Sequence, residues 1–335
     1  MKYDIIMPIA LKEVFFVHRT IEHIRRNLKD AEIIYIITNH RYFRILEQKL
    51  VLQTNKNIVL LDEDRLLDGL TFLDVKNICS KYGAERITGW FFQQFLKLGF
   101  AKTHYAKDYY LSWDADTIPL VHIPFEEDGK LIFDCKKEYH KPYFVLIKNV
   151  LGLDKVIKDS FIAEHMLFEK GIVNEMLDDM EKQTTLLGES WWEKVLNNCD
   201  YSVSLNCFSE FETYGTYAYS KNPSRYKFRQ LSTFRRGGFV NGRFISDKML
   251  EKLSFDLDTV SFEFRDTPCF PLSIRTYFYR LWIKILSKYF FCKEKLKFGY
   301  GLRCFNSVSA LQINKKSRVV SFGNNIIFNS YTNQS

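Results

Sequence analysis

Two aspartates one residue apart, Asp114 and Asp116, close the segment Tyr109-Tyr110-Leu111-Ser112-Trp113-Asp114-Ala115-Asp116-Thr117. The five residues before Asp114 read as an apolar strand. Alternate residues at a strand end reach the same side, so both carboxylates can converge there. Paired carboxylates with no thiol nearby suit a hard divalent cation with oxygen ligands, Mg²⁺ or Mn²⁺. Such an ion neutralises a diphosphate and assists its departure as a Lewis acid. An Asp-rich turn has the same spacing, so both readings stand at this point. Asp62-Glu63-Asp64 is read as a strand end with a solvated turn.

The elements that must hold Asp114 and Asp116 alternate along the first half. Apolar runs at 3–9, 32–38, 57–62 and Tyr109–Trp113 read as strands. Between them, 14–27, 41–51 and 86–101 carry helical periodicity, the last with Ile87, Trp90, Phe91, Phe95 and Leu98 on one side. Continuous apolar strands alternating with helices imply a mostly parallel sheet covered on both faces, an α/β fold. Ligands of such sheets bind beyond the carboxyl ends of the strands. No GxGxxG follows the first strand and no GxxxxGK[ST] occurs, so a dinucleotide fingerprint and a P-loop are excluded. Further on, 159–182 reads as one long helix, 191–196 as a short one, and 207–219 as an aromatic, acidic segment.

Four blocks carry a family resemblance: Gly89-Trp90-Phe91-Phe92-Gln93-Gln94-Phe95-Leu96-Lys97-Leu98, Ser112-Trp113-Asp114-Ala115-Asp116-Thr117, Ser160-Phe161-Ile162-Ala163-Glu164-His165-Met166 and Ser209-Glu210-Phe211-Glu212-Thr213-Tyr214-Gly215. In this order they resemble an uncharacterised-type family of bacterial GT-A-like glycosyltransferases associated with surface polysaccharide or lipopolysaccharide. The resemblance covers roughly residues 1–265. It implies a GT-A, Rossmann-like sheet with a nucleotide-sugar donor at its carboxyl end. It places metal and diphosphate at Asp114 and Asp116, with Ala115 between them. Lys97 is then a cation facing phosphate or sugar, or else a solvated helix lysine. Gln93 and Gln94 can hydrogen-bond sugar hydroxyls, although one of two adjacent residues must point away. By fold analogy, base and ribose lie near Pro8, Ile9, Ala10 and Thr38.

Glycosyl transfer needs a carboxylate, either to deprotonate the acceptor hydroxyl or to stabilise an oxocarbenium-like centre. The candidates are Glu212, Glu210 and Glu164. In an extended segment Glu210 and Glu212 share a face, among Phe208, Phe211, Tyr214 and Tyr217. Burial there raises a carboxyl pKa towards that of a useful base. The competing reading makes these acids structural partners of Arg225, Arg229, Arg235 or Arg236. His165, Tyr214, Arg235 and Arg236 are the acceptor-side candidates. Arg235, Arg236 and Arg243, set among Gly237, Gly238 and Gly242, read as a flexible cationic stretch that closes over the diphosphate or forms a basic surface loop. All seven histidines fall at or before residue 165, so a third metal ligand is His165, another residue or water.

Composition bounds the rest. The 335 residues carry a formal charge of +8 and 16% aromatics. Residues 271–335 hold 11 Lys or Arg and one acid, Glu294, whereas the remainder is at −2. The seven cysteines are scattered with no CxxC, which argues against zinc or a disulfide framework. Asp4, Pro8 and Glu13 interrupt the start, so no signal peptide is expected, and no run of 18 apolar residues occurs. The expected organisation is a catalytic domain over 1–267, divided into a donor half at 1–120 and an acceptor half at 121–267. A basic aromatic tail follows at 268–335. Residues 273–291 read as a helix with an apolar stripe of Ile274, Phe278, Leu281, Ile285 and Tyr289. That tail suits an anionic membrane surface over 271–300; plain packing on the body and nucleic-acid binding are its rivals. The expected function is metal-assisted sugar transfer to a lipid-linked or surface-polysaccharide acceptor, by a cytoplasmic protein peripheral at the inner membrane face. A sugar nucleotidyltransferase is less favoured, because Ile9-Ala10-Leu11-Lys12 lacks a glycine-rich loop. The alternative from outside enzymology is a non-catalytic membrane-associated scaffold.

Overall fold

The computed structural model describes residues 1–51, 57–304 and 320–322, with side chains left out at 51, 291–304 and 320–322. The first strand, β1 (Tyr3–Pro8), is buried along its whole length, as expected of an apolar run inside a covered sheet. From it the chain passes through α1 (Val17–Asn27), β2 (Ala31–Thr38), α2 (Phe43–Val51), β3 (Ile58–Asp62), α3 (Phe72–Lys81), α4 (Thr88–Gly99) and β4 (Tyr109–Trp113). These strands pair in parallel, β3 to β2, β2 to β1 and β1 to β4. The chain then adds β5 (Thr117–Pro119), β6 (Glu126–Glu127), β7 (Lys130–Asp134), α5 (Lys141–Leu151), β8 (His165–Glu169), α6 (Lys170–Glu181), α7 (Trp191–Asn197) and α8 (Glu210–Lys221). The last elements are β9 (Tyr226–Arg229), β10 (Thr233–Phe234), α9 (Gly237–Asn241), α10 (Asp247–Leu253), β11 (Thr259–Ser261), α11 (Leu272–Cys304) and β12 (Val320–Phe322).

The main sheet has the order β12-β3-β2-β1-β4-β8, with β8 antiparallel to β4 and β12 antiparallel to β3. This is the mostly parallel, helix-flanked α/β sheet expected from the sequence. Strand order reverses direction at β1, with β2 on one side and β4 on the other. Loops leaving β1 and β4 therefore part there and open a crevice at their carboxyl ends. There are two small sheets, β10-β11-β5 and β6-β7-β9, and the first brings Thr117 and Ser261 to the crevice wall. The β5–β11 pairing sets Thr117 against Ser261 and brings residues 262–265 to the crevice.

Packing fixes α4 beneath the crevice. Phe91, Phe92, Phe95 and Leu98 are buried, and Phe95 meets Trp191 and Phe208 at ring separations of 5.3 and 5.8 Å. Truncating such a ring to alanine costs about 3–5 kcal/mol.

Two segments differ from expectation. The long helix over 159–182 is instead a bend, then β8, then α6, because His165–Glu169 is drawn into the main sheet beside β4. The segment holding Glu210 and Glu212 is not extended; it is α8, with Ser209 accepting a hydrogen bond from Glu212 N at its start. The helix read at 273–291 is present as α11; Ile274, Phe278, Leu281, Ile285 and Tyr289 face outward, and Thr276 and Ile283 are buried. Residues 305–319 and 323–335 of the basic tail lie outside the described residues, as do the side chains of 291–300.

Candidate active site

Two connected cavities occupy the crevice. The outer one is about 840 Å³ and the inner about 240 Å³. Lys12, Trp90, Asp114, Asp116 and Tyr143 line both. The inner chamber also has Pro8, Gln93, Gln94, Lys97, Ala115 and Glu210 on its walls.

Lys97, in the last turn of α4, points its ammonium between two carboxylates from other elements. Its Nζ donates to Asp114 Oδ1 at 2.9 Å, at the end of β4, and to Glu210 Oε1 at 2.7 Å, at the start of α8. The Phe211 ring lies 4.5 Å from the same ammonium. Burial alone would lower the lysine pKa, but Asp114 and Glu210 outweigh it and hold Lys97 charged, above the ordinary lysine value. Lys97 is thus not a solvated helix lysine. Gln94 braces the arrangement: its Oε1 accepts from Glu210 N at 3.1 Å and its Nε2 donates to Trp90 O at 3.3 Å. Gln93 faces both the inner chamber and a neighbouring cavity.

Opposite Lys97 stands Asp116 with Arg243. The guanidinium is buried between the Phe16 and Phe264 rings, at 5.1 and 5.4 Å. Its Nε donates to Phe262 O at 2.9 Å and its Nη1 to Lys12 O at 2.7 Å. Nη2 lies 3.6 Å from Glu13 and 3.9 Å from Asp116, with no hydrogen-bond partner. Arg243 is therefore a fixed cation and not part of a flexible surface stretch. Burial pushes the Asp116 carboxyl up to about 7, and the negative charges of Asp114 and Glu13 add to the rise. An excess of carboxylate charge of this kind favours a cation. Among the described residues no group of three or more acids, histidines or cysteines converges to hold a metal. Two hard carboxylates completed by phosphate oxygens and water nevertheless suit Mg²⁺ or Mn²⁺.

The outer cavity has a different character. Glu164 accepts from Lys136 at 2.5 and 2.6 Å and from Arg235 Nε at 2.5 Å. Burial alone would raise its carboxyl, but the two cations overcome this and hold it below the usual range. Arg235 also donates to Glu138 at 2.5 Å. Tyr139, Tyr143, Trp90 and Phe264 supply aromatic walls.

Several candidates from the sequence lie away from both cavities. Glu212 is fully buried, and its Oε2 accepts from Ser160 Oγ at 2.5 Å and from Phe161 N at 3.0 Å. His165 stacks on Trp113 at 4.5 Å and pairs with Asp134 at 2.8 Å, on the side of the strand facing away from Glu164. The possibility of His165 as a metal ligand is corrected on that ground. Tyr214 is buried, with its hydroxyl accepting from Glu169 N at 2.9 Å. Arg236 lies outside the cavity lining, over the Phe239 ring at 5.2 Å. The Thr38 hydroxyl is spent on Ile9 O at 2.7 Å, within the sheet.

A third cavity of about 640 Å³ adjoins the carboxyl ends of β1, β2 and β3, where Ile9, Ala10, Asn39, Glu63 and Phe72 line it. Asp62-Glu63-Asp64 is therefore no solvated turn. Asp64 accepts from Phe72 N at 2.8 Å, and burial, helped by Asp64, pushes the Glu63 carboxyl up to about 7. Sequence reasoning did not single out Glu13, Lys136 or Glu63 as site residues. Topology brings Glu13 to the inner chamber and Glu63 to the third cavity, and Lys136 meets the outer cavity through Glu164. Arg243 was visible as a cation but not as a buried one.

The chain matches the model of a family of unknown function (DUF6492) over residues 2–231 and belongs to that family. No curated protein matches it by sequence. Among solved structures it is similar to mouse xyloside xylosyltransferase 1, apo form, at 10% identity and TM-score 0.38, covering 78% of this chain and 97% of that one. It is similar to the galactosyltransferase LgtC in complex with donor and acceptor sugar analogues, at 10% identity and TM-score 0.39, covering 77% and 86%. It is also similar to core-mannan synthase A from Aspergillus fumigatus, Mn/GDP form, at 7% identity and TM-score 0.47, covering 68% and 72%. Identities of this size fix no substrate.

Proposed function

We propose that this chain transfers a sugar from a nucleotide-diphosphate sugar to a lipid-linked or surface-polysaccharide acceptor at the inner face of the cytoplasmic membrane, with a divalent metal assisting. The observation that supports this most is the inner chamber, with Lys97 between Asp114 and Glu210 and with Asp116 facing Arg243. Four carboxylates (Asp114, Asp116, Glu13 and Glu210) meet three cations (Lys12, Lys97 and Arg243) there. Such a surplus of negative charge would repel a diphosphate on its own and accept one together with Mg²⁺ or Mn²⁺. Asp114 and Asp116 would hold that ion, which would supply Lewis-acid stabilisation of the departing diphosphate.

The chain's own residues divide the remaining work. Lys97 orients Asp114 and Glu210 within the chamber through its two hydrogen bonds. Arg243 places an unused N–H 3.9 Å from Asp116. Glu210, on the chamber wall, is the carboxylate that stands beside the reacting sugar and stabilises positive charge at its anomeric carbon. Glu164, neutralised by Lys136 and Arg235, serves acceptor recognition with Arg235 and the aromatic walls, which suit sugar rings. The third cavity, beside Ile9 and Ala10, takes the base and ribose, with Gln93 at its junction with the inner chamber.

Release of nucleoside diphosphate from UDP-, GDP- and dTDP-sugars, and of nucleoside monophosphate from CMP-sugars, with Mn²⁺ tests the reading. The wild type turns over one donor, and Glu210→Gln loses at least about a hundredfold in kcat, as expected for a residue acting on the transition state. No turnover of any donor, turnover of a CMP-sugar alone, or full turnover by Glu210→Gln, would contradict it.

A further inference from the structure

Residues 270–289 expose an unusual amount of apolar surface. Tyr277 is 66% exposed, Phe278 62% and Ile285 57%, and Phe270, Ile274, Leu281, Trp282 and Tyr289 are also exposed. At helical spacing, Ile274, Phe278, Leu281 and Ile285 form one stripe along α11, three or four residues apart. Lys284 and Lys288, both exposed, flank one shoulder of the stripe and Arg275 the other. No acid occurs between residues 272 and 290. A soluble surface rarely leaves such a patch uncovered without a partner.

The opposite face of α11 is tied to the rim of the crevice. Ile283 is buried, Trp282 meets Phe15 at 4.4 Å, and Phe290 meets Tyr42 at 5.3 Å. Arg280 donates to Phe264 O at 3.0 Å and Asp266 O at 2.8 Å, and Tyr279 donates to Lys12 O at 3.4 Å. Lys12 and Phe264 both line the outer cavity. The inner face of α11 is therefore packed against the cavity mouth.

We infer that the outward face of α11 is an interfacial docking face for an anionic lipid bilayer, which lays the body on the membrane with the outer cavity beside the lipid surface. Among the described residues no helix is long and apolar enough to cross a membrane, so the helix lies in the interface. The occupant follows from charge: an all-basic border complements anionic headgroups, whereas a second copy of this face would set like charges against each other. That the docking serves a bilayer-held acceptor rests on the glycosyl-transfer reading; the docking itself does not.

The test mixes the purified full chain with vesicles of phosphatidylcholine alone or phosphatidylcholine with phosphatidylglycerol. Flotation and Trp fluorescence report binding. The protein is expected to bind only the anionic vesicles, and less tightly as salt rises. Lys284→Ala/Lys288→Ala lowers the partition coefficient about twentyfold, and Phe278→Ser/Ile285→Ser lowers it more than tenfold. Both pairs are exposed, so melting and circular dichroism should match the wild type. Equal binding to neutral vesicles, no binding, or unchanged binding in folded variants overturns the proposal. Self-association that Phe278→Ser/Ile285→Ser abolishes, without vesicle binding, overturns it in favour of a second copy. Donor binding measured on the same preparations separates the two readings. Vesicle failure with donor binding intact removes the docking alone; vesicle binding without donor binding removes the transferase reading and leaves the docking standing.

Discussion

Removing the Lys97 ammonium leaves Asp114 and Glu210 facing each other across the narrow chamber. Breaking a buried ion pair from one side costs about 3–5 kcal/mol, because it strands uncompensated charge. Lys97→Met should therefore lower stability by that order in urea titrations, and adding Glu210→Gln should return part of it. A full loss that Glu210→Gln does not relieve would mean that Lys97 acts through packing alone. Glu63 yields a second prediction with a defined sign. Its carboxyl sits near 7 in the fold, above an ordinary value of 4.5, so its contribution is present at low pH and fades as pH rises towards 7. Glu63→Gln should raise the melting temperature at pH 8 relative to wild type and leave it nearly unchanged at pH 5. At this scale Asp114 and Asp116 stood out by their spacing, whereas Lys97 was left open between a cation facing phosphate or sugar and a solvated helix lysine. Their neighbours misled, because adjacent strand residues point to opposite sides: Glu164 reaches the outer cavity while His165 stacks behind it on Trp113.

α8 carries the clearest lesson about elements. Read as extended, Glu210 and Glu212 share a face; on a helix, residues two apart do not. The fold accordingly sends Glu210 to Lys97 and Glu212 to Ser160. The signal was present, since Ser209-Glu210-Phe211-Glu212 has the Ser-x-x-Glu spacing of a helix start. Aromatic density obscured it. Ser209→Ala removes the acceptor for Glu212 N and should cost about 1 kcal/mol, read by thermal melting. Gly215 is required in the same helix, because a Cβ there would lie 2.3 Å from Phe161 Cγ. Phe161 is buried against Phe133 at 5.3 Å and has no room to yield. Gly215→Ala should thus destabilise by about 1–3 kcal/mol despite alanine's better helix propensity. The four parallel strands were readable because covered strands are continuously apolar. β8 was not, because its apolar spacing also fits a helix, and only pairing with β4 decides the matter.

Across the whole molecule, strand order places the crevice, and charge is sorted around it. The body is nearly neutral and the tail strongly basic, with α11 joining the two at the cavity rim. A buried network behind the site contributes to the acid limit of the fold. Burial would raise Asp134, but Arg229 and His165 hold its carboxyl down at about 2, below an ordinary 3.8. A depressed carboxylate stabilises the fold above its unfolded pKa, and that stability is lost as pH falls from about 4 towards 2. The shift corresponds to about 2 kcal/mol, so Asp134→Asn should flatten the acid limb of the stability curve by that amount. Composition foretold the basic tail, and left open whether its apolar stripe would face outward, as a membrane surface requires, or pack on the body, since burial depends on which side of the helix meets Phe15 and Tyr42.

Calorimetric titration of the purified chain with UDP-, GDP-, CMP- and dTDP-sugars, with and without Mn²⁺, addresses the inner chamber itself. One donor should bind with Mn²⁺, at least about tenfold more weakly without it, and not measurably to Asp114→Asn/Asp116→Asn. Binding of no donor, binding of a CMP-sugar alone, or binding indifferent to both aspartates, would contradict the assignment of this chamber to a nucleoside-diphosphate sugar.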